Sequence, residues 1–395
     1  ILAARGHDVT WWSGTWSHRR KAQRAVPLGV REDEGFTVRL VATRAYGKDV
    51  SLARLRSHAE FGRTFERLAN ESIASGQVGR PDIILAALPP LEVAEAALRL
   101  ARRLDAICVV DVEEPWPETF ERAVPLPAFL RAPLRNLLFG SLYRRRADLL
   151  AAADGVSTTT HTSATAVPGV TRAGRPGHVC HVGAYLEEFP PPPRLIDAVP
   201  PAAGAAAPQT FTPIQCVAAG SLGTGQDLDA LVAAARSLSA AGTAAVLHVV
   251  GTGPREAMLR TAAGSLRGSC RLEVHGPLPR ADHAALLGRC DVGLVLTRPD
   301  ALVAVPDEAC DYAAAGLAIV SPLPGELADL IDTHTAGLAY TAGDGGSLAR
   351  AITALADDRR RLLALRHGAR RLAAAAFDRD RIYPRFADWL ETLPA

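Results

Sequence analysis

Ile214-Gln-Cys-Val-Ala-Ala-Gly-Ser-Leu-Gly-Thr-Gly-Gln-Asp-Leu228 decides the fold. Residues 214–218 are a short apolar run of strand length, Gly220 to Gly225 form a glycine-rich turn, and residues 228–240 carry alanine and leucine at helical spacing. A strand that passes through such a turn into a helix is the repeating unit of a parallel sheet. The unit recurs downstream, with strands expected at 245–250, 271–274, 292–296 and 318–321 and helices at 255–263, 280–288 and 307–315. The first half keeps the same rhythm, with strands at 8–12, 36–42, 83–87 and 106–112 and helices at 52–74 and 91–104. The fold class is therefore α/β, two Rossmann-like doubly wound domains.

Between the halves, Pro190 to Pro193 and the Ala/Pro/Gly stretch 198–208 cannot build a core and read as a linker. The expected division is an N-terminal domain over 1–189, a linker over 190–212, a second domain over 213–375 and a helical tail over 376–395. At the start, residues 1–5 read as the end of a helix, Gly6 as its cap and 8–12 as the next strand. The N-terminal sheet is thus expected to lack its first strand and the chain to be truncated.

A chain of 395 residues exceeds what one core usually organises, and 48% apolar with 22% charged residues fits a globular protein. The net charge of +2 is far from the basic face that nucleic acid demands. No run of about 18 uncharged apolar residues occurs and the N-terminus lacks a signal-peptide layout, so a cytoplasmic location is expected. Six scattered cysteines form no C-x-x-C pair, and the histidines show no cluster at metal spacing. Free thiols and no metal site are expected. No G-x-S-x-G elbow supports hydrolase chemistry.

Four segments carry a resemblance that spans nearly the whole chain: Arg5-Gly-His-Asp-Val-Thr-Trp-Trp12, Tyr46-Gly-Lys-Asp-Val-Ser-Leu52, Val109-Val-Asp-Val-Glu-Glu-Pro-Trp-Pro-Glu118 and Asp311-Tyr-Ala-Ala-Ala-Gly-Leu317. The chain resembles family 4 of the glycosyltransferases, of GT-B architecture, and within it the branch of bacterial enzymes that build surface polysaccharides. The resemblance implies retaining transfer from a nucleotide sugar, with the acceptor on the first domain and the donor on the second. The acceptor it implies is lipid-linked or a polysaccharide, reached at the inner face of the membrane. It calls for no resident cofactor, and a divalent cation beside the diphosphate is not expected.

Candidate site residues follow. Gly220, Ser221, Gly223, Thr224 and Gly225 can offer amides as an anion nest ahead of a helix, and Gly251 and Gly253 form a second such turn. His275, Gly276 and Leu278 resemble the family segment whose backbone reads the nucleobase. Asp311 stands where the family has a ribose-binding glutamate, and Glu308, Gly316 and Glu326 are placed on the donor side. Glu113 and Glu114 end a strand where a carboxylate can hold the acceptor hydroxyl or stabilise an oxocarbenium-like transition state. Trp116 reads as a packing residue. Trp16, His18 and Arg19 follow a strand at the sheet end where open α/β sheets bind ligands, and are acceptor candidates. Residues 129–146 mix an apolar face with Arg131, Arg135 and Arg144 to Arg146, and read either as a packed amphipathic helix or as a surface for anionic lipid.

Departures from the family pattern matter as much. Pro306-Asp307-Glu308 replaces a lysine with a carboxylate, Asp111-Val-Glu-Glu114 departs from an arginine-containing segment, and the glycine turn holds no Lys or Arg. A carboxylate about 5 Å from a diphosphate repels it by roughly a kcal/mol or more at a dielectric of 20 to 80. A second reading therefore stays open: a catalytically degenerate relative that binds or stabilises an active enzyme.

Overall fold

The computed structural model describes residues 1–395 except 18–21, 25–29, 34, 48–50, 125–127, 167–176, 190–211, 224 and 394–395. The chain divides into one unit of Ile1–Cys180 with Tyr383–Ala395 and another of His181–Ile382. Apart from Thr212, the expected linker lies outside the described residues.

In the first unit, Ala3–Arg5 form a turn of 3-10 helix closed by Gly6 at φ 92°, as the sequence suggests. Strands β1 (Thr10–Gly14), β2 (Trp16–Ser17), β3 (Ala22–Gln23), β4 (Val30–Asp33) and β5 (Phe36–Val41) follow. The helix Leu52–Ala74 leads to β6 (Ile83–Leu88), and the helix Leu91–Leu104 to β7 (Ile107–Val112). Beyond the long helix Ala128–Ala152 come β8 (Gly155–Thr158) and β9 (His178–Val179). These strands form a sheet β1-β5-β4, a parallel sheet β6-β7-β8-β9 and the hairpin β2-β3. Among the described residues β1 pairs on one side, with β5, and β6 on one side, with β7. Leu390 and Leu393 of the final helical segment pack on Val109 of β7.

The second unit is one parallel sheet in the order β12-β11-β10-β13-β14-β15, from β10 (Ile214–Ala219), β11 (Ala245–Val250), β12 (Cys270–Gly276), β13 (Val292–Leu294), β14 (Ala318–Ser321) and β15 (Gly337–Ala339). Period-two alternation sorts its core. Ile214, Cys216 and Ala218 face the helices Leu228–Ala240 and Gly345–Asp357, while Val217 and Ala219 face the helices Asp307–Ala315 and Arg359–Leu372. On the latter face Arg366 donates to Asp291 Oδ1 at 3.0 Å, a pair about 5% exposed, and to the carbonyl of Gly316 at 2.9 Å.

The chain winds outward from β10 in both directions, so β10 and β13 flank the topological switch point, where open α/β sheets form a crevice. Their ladder has two rungs, Cys216 to Val292 and Val217 to Gly293. Past these, the Tyr312 phenol enters: the Ala219 amide donates to its oxygen at 2.7 Å, and its hydroxyl donates to the Leu294 carbonyl at 3.4 Å. Only glycine fits at 293, since a Cβ there would stand 2.3 Å from the Tyr312 ring. The expected strand to residue 296 thus stops at Leu294, and β12 runs two residues past its expected end to include His275.

Candidate functional site

Three turns meet beyond the C-terminal ends of β10, β11 and β12. Gly220 at φ 136° sends its amide to Val250, Leu222 sends its own to Thr252, and the Gly251 amide bonds the Gly276 carbonyl at 2.9 Å. Gly251 at φ 141° abuts Gly220 so closely that a Cβ would lie 1.8 Å from its carbonyl oxygen, and a Cβ on Gly253 would lie 2.5 Å from Leu222. Both contacts require glycine. Leu222, 2% exposed, pins the first turn into the core.

This geometry narrows the expected anion nest. The amides of Gly220 and Leu222 are engaged by neighbouring carbonyls. The helix Leu228–Ala240 is capped by Asp227, whose carboxylate accepts from Ala230 at 3.1 Å and Gly343 at 2.8 Å. A helix end already satisfied by a carboxylate is a poor seat for a second anion. Ser221 and Gly225 are exposed and Gly223 is half-buried, while Thr224 lies outside the described residues.

The helix Asp307–Ala315 supplies the carboxylates. Tyr312 fixes its rotation, and Glu308, one turn earlier on the same face, lies over the first turn, with Oε1 4.0 Å from where a Gly220 Cβ would be. Burial pushes the Glu308 carboxyl up from 4.5 to about 7, and the charges of Asp307 and Asp311 push the same way. Asp311 is gripped by Arg280 through two bonds of 2.9 and 3.2 Å. Arg280 also bonds Glu188 at 2.6 Å and stacks over Phe189.

Sequence reasoning missed the cations. Arg298 bonds the Gly225 carbonyl and Arg255 that of Leu222 through their main-chain amides, while their guanidinium groups bond Asp300 at 3.3 Å and Asp229 at 2.5 Å. Arg280 was likewise unpredicted, and nothing local in the sequence signals any of the three.

The other predicted donor-side residues are placed as follows. Gly316 closes the far end of the helix Asp307–Ala315, nine residues on, or about 13 Å of helix from Asp307. Leu278 packs on the core of the second unit. Glu326, 9% exposed, begins the helix Glu326–His334 with Oε1 3.6 Å from His181 Nε2. His275, just past the end of the strand expected over 271–274, lies in β12 and bonds His248 across the sheet face at 2.9 Å.

In the first unit, Glu113 and Glu114 are exposed at the end of β7, the Glu113 amide bonding the Leu88 carbonyl. Asp111, just before them, accepts from Ser157 at 2.6 Å, and burial raises its carboxyl. Trp116 is 2% exposed and packs on Phe120 and His58, the packing role expected of it. Trp16 packs on Tyr46, while His18 and Arg19 lie outside the described residues. The basic run of the helix Ala128–Ala152 is largely paired, Arg145 with Glu95 at 2.6 Å and Arg146 with Glu118 at 2.7 Å, which favours the packed-helix reading. Among the described residues no helix is long and apolar enough to cross a membrane.

Residues 213–358 match the family model for glycosyl transferases group 1. No curated protein matches the sequence. Among solved structures, the chain is similar to sucrose-phosphate synthase from Thermosynechococcus elongatus, at 16% identity and a TM-score of 0.71 over 99% of this chain and 90% of that one. The E. coli trehalose-6-phosphate enzyme bound with UDP-2-fluoro glucose gives 14% identity and 0.63 over 99% and 94%. HepE from Anabaena in complex with UDP gives 15% and 0.62 over 90% and 86%. At such identities the likenesses establish the fold, two-domain GT-B. The second unit thus carries a glycosyltransferase group 1 domain on a glycosyltransferase fold.

Proposed function

We propose that the chain is a retaining glycosyltransferase that moves a sugar from a nucleotide-sugar donor, held by the second unit, to a lipid-linked or polysaccharide acceptor. One observation carries the reading: the turns after β10, β11 and β12 converge with Glu308 at the switch point of the parallel sheet, within the segment that matches the family model. The UDP complexes of its fold relatives favour a uridine diphosphate donor. Asp311, oriented by Arg280, keeps lone pairs for ribose hydroxyls. Glu113 and Glu114 face solvent as carboxylates for the acceptor hydroxyl or the developing positive charge.

The Glu308 proton answers the objection behind the degenerate reading. Held protonated up to about pH 7, its carboxyl donates a hydrogen bond to a phosphate oxygen and does not repel it. Calorimetric titration with UDP-sugars tests the proposal. Asp311→Ala should weaken binding by about 1 to 3 kcal/mol, roughly fivefold to 150-fold. At pH 8, Glu308→Lys should tighten nucleoside-diphosphate binding by about tenfold or more. If the wild-type chain binds no nucleotide sugar, the transferase reading fails and the binding-partner reading replaces it.

A further inference from the structure

A second polar cluster centres on His248, which pairs in register with Val217 and so lies on the sheet face packed by the helices Asp307–Ala315 and Arg359–Leu372. His248 of β11 and Glu273 of β12 are paired in register, and parallel neighbours stand about 4.8 Å apart, so their side chains rise side by side. His275 lies two residues beyond Glu273 and shares its face. The register slips here: Val249 pairs with Val274 but Val250 with Gly276, which leaves His275 as the extra, unpaired residue of a bulge. Bulges re-aim side chains, and this one turns the His275 ring toward His248.

The resulting distances are those of ligands around one ion. His248 Nδ1 lies 2.9 Å from His275 Nε2 and 3.4 Å from Glu273 Oε2, and Glu273 Oε2 lies 3.9 Å from His275 Nε2. Zinc bonds of about 2.0 to 2.1 Å at tetrahedral angles separate ligand atoms by about 3.3 Å, in the middle of that range. A second observation is independent of these spacings. His248 Nε2 bonds Gln215 Oε1 at 2.9 Å, the outer partner that metal-bound imidazoles almost always have, and it fixes the tautomer that leaves Nδ1 as the lone-pair donor. A cavity of about 620 Å³, lined by these four residues and by Arg289, Asp291 and Arg366 among others, leaves room for a water as fourth ligand. Of its cations, Arg366 is matched to Asp291 and Arg289 is exposed to solvent.

We propose that His248 Nδ1, His275 Nε2 and Glu273 Oε2 form a binding site for a borderline divalent cation of the zinc class, with the fourth position open to the cavity. Two neutral imidazoles and one carboxylate select zinc, cobalt or nickel over magnesium or calcium, which prefer all-oxygen shells. On binding, the proton that His275 Nε2 shares with His248 moves through water to His275 Nδ1, and no net charge is lost from the pair. The test reads cation binding directly and does not depend on turnover.

The metal-stripped chain is titrated with ZnCl2 against a chromophoric competitor, and with CoCl2 by visible absorption. One equivalent is expected, with the intense visible band of four-coordinate cobalt. At zinc a hundredfold above Kd the second unit should melt about 5 to 10 °C higher. Glu273→Gln and Gln215→Ala should each weaken binding about 10- to 100-fold, and His275→Asn more. Glu273 and His275 are exposed, so circular dichroism should show these variants folded. Binding no tighter than millimolar in the wild type, or equal affinity in wild type, Glu273→Gln and His275→Asn, overturns the proposal.

Discussion

The Glu308 carboxyl makes the stability of the second unit depend on pH in a direction opposite to most carboxylates. Its value rises from 4.5 in an open chain to about 7 in the folded site because ionising it there strands a charge beside Asp307 and Asp311 with little water. Between those limits the folded state holds a proton that the unfolded state has lost, and stability falls as pH rises. The penalty is absent below about pH 4.5 and complete above about pH 7. Two and a half units correspond to at most about 3 kcal/mol, and water reaching this half-buried group brings the expected figure to about 1 to 3. Glu308→Gln keeps shape and hydrogen bonding but cannot ionise. Urea denaturation at pH 5, 6, 7 and 8 should show the variant gaining that amount on wild type across the series, with other titrations cancelling in the difference. Circular dichroism is the probe, since all five tryptophans lie in the first unit. The same proton should make wild-type nucleoside-diphosphate affinity fall above pH 7, and the variant's stay level. Parallel stability curves for the two proteins from pH 5 to 8 would refute the buried-carboxyl argument.

Tyr312→Phe removes the oxygen that satisfies the Ala219 amide, and chemical denaturation should show a loss of about 1 to 3 kcal/mol. Asp291→Ala leaves Arg366 buried without its carboxylate and should cost about 3 to 5 kcal/mol in the same assay, more than replacing both partners with apolar residues. Gly251→Ala drives a methyl into the Gly220 carbonyl, so calorimetry should show nucleotide binding lost while the first unit, followed by tryptophan fluorescence, melts unchanged.

What the sequence disclosed is what local periodicity encodes. The helices Leu52–Ala74, Leu91–Leu104, Leu228–Ala240 and Asp307–Ala315 and the strands Ala245–Val250 and Ala318–Ser321 fall where apolar spacing puts them. The glycine turns were legible because close approach of two backbones leaves a compositional mark. Contacts between distant segments leave none. Arg298 reaches Gly225 across more than seventy residues, Arg280 reaches Asp311 from another helix, and Asp227 caps a helix end that composition alone offers to phosphate. The expected strand stops at 274, short of His275, because a bulge cannot be read from one strand. The charge reversal at Glu308 looked like a defect in sequence, where a carboxyl is presumed ionised, and burial changes that presumption.

The Tyr312 phenol has a further consequence. Strands β10 and β13 part because a side chain of fixed covalent length is driven between them from below and bonds both edges. The crevice at the switch point is therefore propped open by the interior, and its width is a property of the core packing. Turns at its rim can be lengthened, recharged or exchanged for others without the mouth falling shut, which lets one scaffold accept different donors by changing surface residues alone.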